Sequence, residues 1–220
     1  ESKPFHELFT ARFEIIALQQ RIKTLTKKYN TSVFLLDLAA QGRSGSNNTP
    51  ISTLLFDHVC AWAGYPSEAK LQELCALLEL NDQLDEFKQK CEENTGLDYK
   101  DLVHQPITLI QTASLLAHEY YPKIWQTPES FMTAQAISTT NDQERVKQML
   151  DLIQKKTETS RVLFIIDEVG HFRRNNQNLI NNLDGLAKNL KEIGEGRAWM
   201  IATAQQTIPR TGPLFGLQDR

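Results

Sequence analysis

Apolar positions along the chain fall into two kinds of run. Thr31–Ala40 (TSVFLLDLAA), Arg161–Asp167 (RVLFIID) and Arg197–Ala204 (RAWMIATA) are short and nearly continuous. Each predicts a strand, and runs of this kind are what strands buried on both faces of a parallel sheet look like. Elsewhere the period is helical. Phe5, Phe9, Phe13, Ile16, Ile22 and Leu25 predict an amphipathic helix over residues 5–28, with basic residues toward its C-terminal end. Thr49-Pro50 supplies an N-cap and a first-turn proline for a helix that stops at Gly64-Tyr65-Pro66. Further helix starts fall at Ser67, at Asn81 or Asp82, and at Pro106, Pro128 and Asn141, so residues 67–159 read as helical throughout. A last helix over 176–193 carries Leu179, Leu183, Leu186 and Leu190 on one face and ends at Gly194 and Gly196. With the strands on either side it makes a parallel βαβ unit, for which a right-handed crossover is expected.

Charge sharpens this layout. The net charge of -3 over 220 residues conceals +2 in residues 1–65, -7 in 66–160 and +2 in 161–220. The acidic middle is also the part without strand signals. The chain therefore reads as an α/β core whose first part is residues 1–65 and whose second part is residues 161–220, interrupted by a helical insertion at 66–160. A hydrophobic share of 40% excludes a disordered chain, and no apolar run approaches the ~18 residues of a membrane span. Cys60, Cys75 and Cys91 have no metal-ligand spacing and are expected as reduced thiols, which points to a cytoplasmic location.

The stretch with chemistry in it is VLFIIDE, Val162–Glu168, an apolar strand ending in two adjacent carboxylates. At the C-terminal end of a parallel strand both acids reach the rim where ligands bind in open α/β folds. P-loop nucleotidases place their Walker B element there: Asp167 would hold Mg²⁺ through water, and Glu168 would orient or deprotonate the attacking water. A strand that simply ends in a polar turn has the same composition, so the next strand carries weight. It ends in Thr203-Ala204-Gln205-Gln206 at the same rim, where additional-strand ATPases keep a sensor of the γ-phosphate. Thr203 and Gln205 are the candidates.

The phosphate-gripping half is missing from these residues. No GxxxxGK[ST] occurs, and the loop Gln41–Asn48 offers only Arg43 as a cation. The 220 residues by themselves are expected to hydrolyse no ATP. Arg173 and Arg174 follow the acidic pair and Arg220 closes the chain; phosphate, DNA or a neighbouring subunit are the contacts open to them, beside an ordinary solvated role. Arg173, Arg174, Arg197 and Arg210 together would be a DNA-binding set. His58 and Cys60 lie on an apolar helix and are expected in the core. Trp62, Trp125 and Trp199 read as core or interface rather than as stacking platforms, since no basic cluster interleaves them.

Residues 161–206 resemble a segment of the large BREX phage-defence ATPases of the BrxC/PglY type. The shared pattern is an apolar strand, DE-[VI]-G-Q, an aromatic, an Asn/Leu-rich helix, G-[KR]-AW, and a strand ending T-[AS]-Q. Asp167, Glu168, Gly170, Leu179, Asn182, Leu183, Gly196, Ala198, Trp199, Thr203 and Gln205 match it; His171 stands where Gln is common. The resemblance implies a P-loop NTPase core of the AAA+/ASCE-like kind, ATP and Mg²⁺ as cofactors, and a cytoplasmic bacterial defence ATPase. Its partners would be other defence proteins including a methyltransferase, with DNA and further copies of itself as candidates. It also implies an interior portion of a longer chain whose Walker A loop lies upstream, with residues 207–220 not necessarily contiguous in the parent. The alternative is a nucleotide-inactive scaffold of a defence complex.

Overall fold

The computed structural model describes residues 15–38, 49–133, 141–159, 161–169 and 177–203. In order they form α1 (Ile16–Lys28), β1 (Thr31–Asp37), α2 (Ile51–Trp62), α3 (Ala69–Leu80), α4 (Leu84–Thr95), α5 (Tyr99–Leu102), α6 (Pro106–Tyr120), α7 (Pro128–Thr133), α8 (Asp142–Thr157), β2 (Arg161–Asp167), α9 (Gln177–Gly194) and β3 (Ala198–Ala202). The protein is α/β: mostly helices around a small parallel sheet of three strands in the order β1-β2-β3. Register runs from Thr31↔Arg161 to Asp37↔Asp167 on one side of β2, and from Val162↔Ala198 to Ile166↔Ala202 on the other. None of the described helices is long and apolar enough to cross a membrane.

The helices cover one face of the sheet. α2 packs on β1, α8 on β2 and α9 on β3, and α8 touches both α2 and α9. Under them lie Phe34, Leu36, Val162, Phe164, Ile166 and Ala198, all buried, with Phe34 and Phe164 ring to ring at 5.8 Å. The last helix between β1 and β2 thus lies on the sheet, and α3 continues the same hydrophobic core outward from α8.

The opposite face departs from the expectation of strands buried on both sides. Val33 is 57% exposed and Leu35 56%, Trp199 and Ile201 are exposed as well, and Leu163 and Ile165 are only half-buried. Handedness accounts for it. β1→β2 and β2→β3 step the same way across the sheet, and right-handed crossovers taken in one direction put their helices on one side.

Helix boundaries moved where turn geometry decided them. Pro50, with ψ 144°, lies outside the helix at the N-cap position, so α2 begins at Ile51 without a side-chain cap. Asn81 and Asp82 close α3 rather than open α4: Asp82 is left-handed at φ 59°, the Gln83 N–H returns to the Leu78 carbonyl at 2.8 Å, and it is Gln83 that stands at the N-cap position of α4. Asn141 does cap α8, accepting from the N–H groups of Gln143 and Glu144 at 3.0 and 3.4 Å. At the other end of α8, Glu158 occupies a left-handed cap at φ 54°. Glycine has no Cβ to strain there, so Glu158→Gly should raise stability by about 0.5–1 kcal/mol. Thermal unfolding checks this; an unchanged or lower midpoint contradicts it.

The three cysteines are free thiols, all buried. Burial pushes Cys75 and Cys91 up to about 12, and pushes Cys60 up further. His58, at the edge of the same core beside Phe34, is pushed below the usual imidazole range by burial.

Candidate functional site

Each parallel strand delivers its last residue to one rim. β1 ends at Asp37 and β2 at Asp167, which are in register, and Thr203 follows β3. By strand alternation Asp37 and Asp167 sit on the open face, opposite Leu36 and Ile166, which are buried under the helices. The rim is closed by backbone bonds: Leu38 N–H to the Asp167 carbonyl at 3.2 Å, Thr203 N–H to the Ile166 carbonyl at 2.9 Å, and Val169 N–H to the Thr203 carbonyl at 3.0 Å.

Within this frame Asp167 is held at one oxygen. Its Oδ1 accepts from the Glu168 N–H at 2.8 Å and from the Thr203 hydroxyl. Oδ2 has no hydrogen-bond partner among the described residues. A carboxylate gripped at one oxygen keeps its plane while the other oxygen stays available to a ligand.

Glu168 interrupts the return of the chain to the sheet. Asp167 before it is in β2 and buried Val169 after it is bonded to Thr203, so Glu168 is the residue that absorbs the turn. It does so at φ 62°, a left-handed conformation unusual for a residue with a Cβ. Strain of this kind persists where the surroundings over-determine the backbone, and it concentrates at functional sites.

The structure therefore brings together Asp167, Glu168 and Thr203. Gln205, Arg173, Arg174 and Arg220 lie outside the described residues, as do Arg43, Gly170, His171 and Arg210. Arg197 is placed at the other edge of the sheet: it precedes β3, its carbonyl accepts from the Val162 N–H at 2.9 Å, and its guanidinium lies 3.8 Å from Glu195. It is thus a strand length away from Asp167 and contributes nothing to the rim. Trp125 is buried, whereas Trp62 and Trp199 are half exposed.

Asp37 is the rim residue that sequence reasoning passed over. The signal was present, since TSVFLLD and RVLFIID both end in Asp after a run of the same length. Only the register shows that the two acids are neighbours across the strands.

Oxygen donors of this kind suit a hard cation such as Mg²⁺ rather than zinc. Among the described residues no three His, Cys, Asp or Glu side chains form a complete metal cage. A site with one or two carboxylates fits Mg²⁺ that arrives with phosphate oxygens and water supplying its remaining ligands.

No protein-family model, no curated protein and no solved structure matches this chain.

Proposed function

We propose that these residues form the Walker B and sensor half of an ATP-hydrolysing P-loop ATPase, of the kind used by bacterial BREX-type anti-phage systems in the cytoplasm. One observation carries the reading. An Asp-Glu pair ends the middle strand of a parallel sheet, and the next strand supplies a hydroxyl bonded to that Asp. A strand that merely terminates in a polar turn needs neither the second strand's hydroxyl nor a left-handed Glu.

In this reading each residue has a separate task. Asp167, oriented through Oδ1 by Glu168 N–H and Thr203, offers Oδ2 to the water shell of Mg²⁺. When bound, Mg²⁺ neutralises charge on the transferring phosphoryl group. Glu168 orients the attacking water and takes its proton. Thr203 ties the sensor strand to the metal-holding carboxylate, so a shift of one displaces the other. Gln205 is the second sensor candidate. ATP turnover would serve the assembly of a defence complex with a methyltransferase and other system proteins, or its action on phage DNA.

The test joins these residues to a GxxxxGK[ST] loop and compares Glu168→Gln with the same assembly carrying Glu168. Glutamine keeps the shape and loses the basicity, so turnover should fall by roughly 10²–10³-fold while ATP binding is retained. Unchanged turnover would remove the hydrolytic role and leave the scaffold reading in its place.

A further inference from the structure

On the open face of the sheet each strand stays apolar until its C-terminal end. Val33 and Leu35 precede Asp37, Leu163 and Ile165 precede Asp167, and Trp199 and Ile201 precede Thr203. Asp37 is exposed and Asp167 half-buried, and they are register partners on strands about 4.8 Å apart. The three residues form one row across the rim, with Asp37 on the β1 side of Asp167 and Thr203 on its β3 side. The two flanks act differently. Thr203 donates a hydrogen bond to Asp167, whereas Asp37 adds a second carboxylate beside it.

Like charges at directly opposed positions of neighbouring strands destabilise a sheet, and a nearby positive charge offsets them. Two sources of that charge are open to this pair. One is the divalent cation of the proposed Walker B site. The other is an arginine of the chain: residues 39–48 and 170–176 begin just after β1 and just after Val169, and carry Arg43, Arg173 and Arg174 outside the described residues. Charge and donor chemistry favour the first. A guanidinium brings one positive charge against two negative ones, whereas a divalent cation balances both. Mg²⁺ is commonly held by one or two carboxylates, with water and phosphate oxygens completing its shell.

We propose that Asp37 is the second carboxylate of the cation site, so that Asp37 and Asp167 together hold the divalent ion across the ends of β1 and β2. This rests on the rim described under the proposed function and adds one property to it. With two acids the site takes the bare cation, before any phosphate supplies ligands.

Mn²⁺ alone is the probe, added to the 220-residue chain and followed by the electron paramagnetic resonance of the free ion. One ion should bind per chain, with a dissociation constant on the order of 1 mM or below. Asp37→Asn should weaken binding on the order of 10-fold, and Asp167→Asn should abolish it. Thermal unfolding gives a second readout. Without Mn²⁺, Asp37→Asn should raise the midpoint, since the repulsion is gone. With Mn²⁺ at about ten times its dissociation constant, the unsubstituted chain should gain roughly 3–6 °C and Asp37→Asn less than half of that. An equal or lower midpoint for Asp37→Asn without Mn²⁺ overturns the proposal; a lower one makes an arginine of the chain the partner of Asp37. Unchanged affinity in Asp37→Asn overturns it too, and if Asp167→Asn loses the ion at the same time, the Walker B reading still stands. No binding by the unsubstituted chain up to about 10 mM has the same two consequences, because in that reading phosphate delivers the metal. Asp101→Asn, at an exposed position on α5, controls for net charge, and a loss of affinity as large as that of Asp37→Asn overturns the proposal as well.

Discussion

Arg145→Ala is expected to destabilise the protein by about 3 kcal/mol, the low end of the loss for a broken buried ion pair, because Arg145 is buried while its partner Asp142 is half exposed. Arg145 is only 2% exposed on α8. Its Nη1 donates to Asp142 Oδ1 at 2.7 Å and to Ser52 Oγ at 2.8 Å, and Ser52 Oγ in turn donates to the same Asp142 oxygen at 2.8 Å. This triangle joins the first turn of α2 to the first turn of α8, the two helices that lie on β1 and β2. Asp57 and Glu73 also interact with the guanidinium. Burial pushes the Asp57 carboxyl above the usual range and Arg145 opposes that rise, while burial itself pulls Arg145 below its ordinary value.

Removing Arg145 therefore does more than delete two hydrogen bonds. Glu73, 2% exposed, and Asp57 would keep their burial and lose the cation that compensates it. Arg145→Met separates charge from volume. If the guanidinium's charge and hydrogen bonds dominate, methionine should recover less than half of the alanine loss. If packing dominates, it should recover most of it. Urea unfolding measures both, and a loss below about 1 kcal/mol for alanine would show the network to be dispensable.

None of this network was legible in the sequence, and the reason is physical. Ser52, Asp142 and Arg145 are ordinary helix-start and helix-surface residues by composition; only the packing of α2 on α8 brings them together, with Ser52 and Arg145 buried and Asp142 half exposed. Strands were far more legible. RVLFIID was predicted and found over the same seven residues, because a continuous apolar run flanked by polar turns has few other solutions. Helix starts followed residue type only where a side chain makes the cap. Asn141 does so; at Asn81 and Asp82 the preceding helix uses the same residues to stop.

The same division applies to the rim. Adjacent acids after an apolar strand announced Asp167 and Glu168, and the polar end of the next run announced Thr203. What the linear pattern could not supply was lateral order. Asp37 joins the rim through register, whereas Arg197, grouped by the sequence with a DNA-binding set, stands at the start of its strand rather than at the rim. The open face was misjudged for a related reason. Apolar runs state that a strand has two apolar sides, whereas the direction of each crossover decides which side its helix covers.

On the proposed role Glu168 is expected to carry the largest functional effect, and its backbone allows stability and activity to be separated. At φ 62° its Cβ costs on the order of 1–2 kcal/mol against a relaxed conformation, and glycine removes that cost. Glycine also loses about 0.5–1 kcal/mol more chain entropy on folding. The net expectation for Glu168→Gly is a stability gain of up to ~1 kcal/mol, or about 1–4 °C in a domain of this size. On the proposed role, ATP turnover by these residues joined to a GxxxxGK[ST] loop should nevertheless fall at least as far as in Glu168→Gln, by roughly 10²–10³-fold, because the proposed proton acceptor is gone. Glu168→Gln keeps the strain and should leave the unfolding midpoint near the parent's. A more stable, inactive glycine variant beside an equally inactive glutamine variant of unaltered stability would mean that this position tolerates a strained backbone for its carboxylate. If Glu168→Gly instead lowers stability while turnover survives in both, the glutamate is a structural turn residue, and the Walker B assignment at this strand end is wrong.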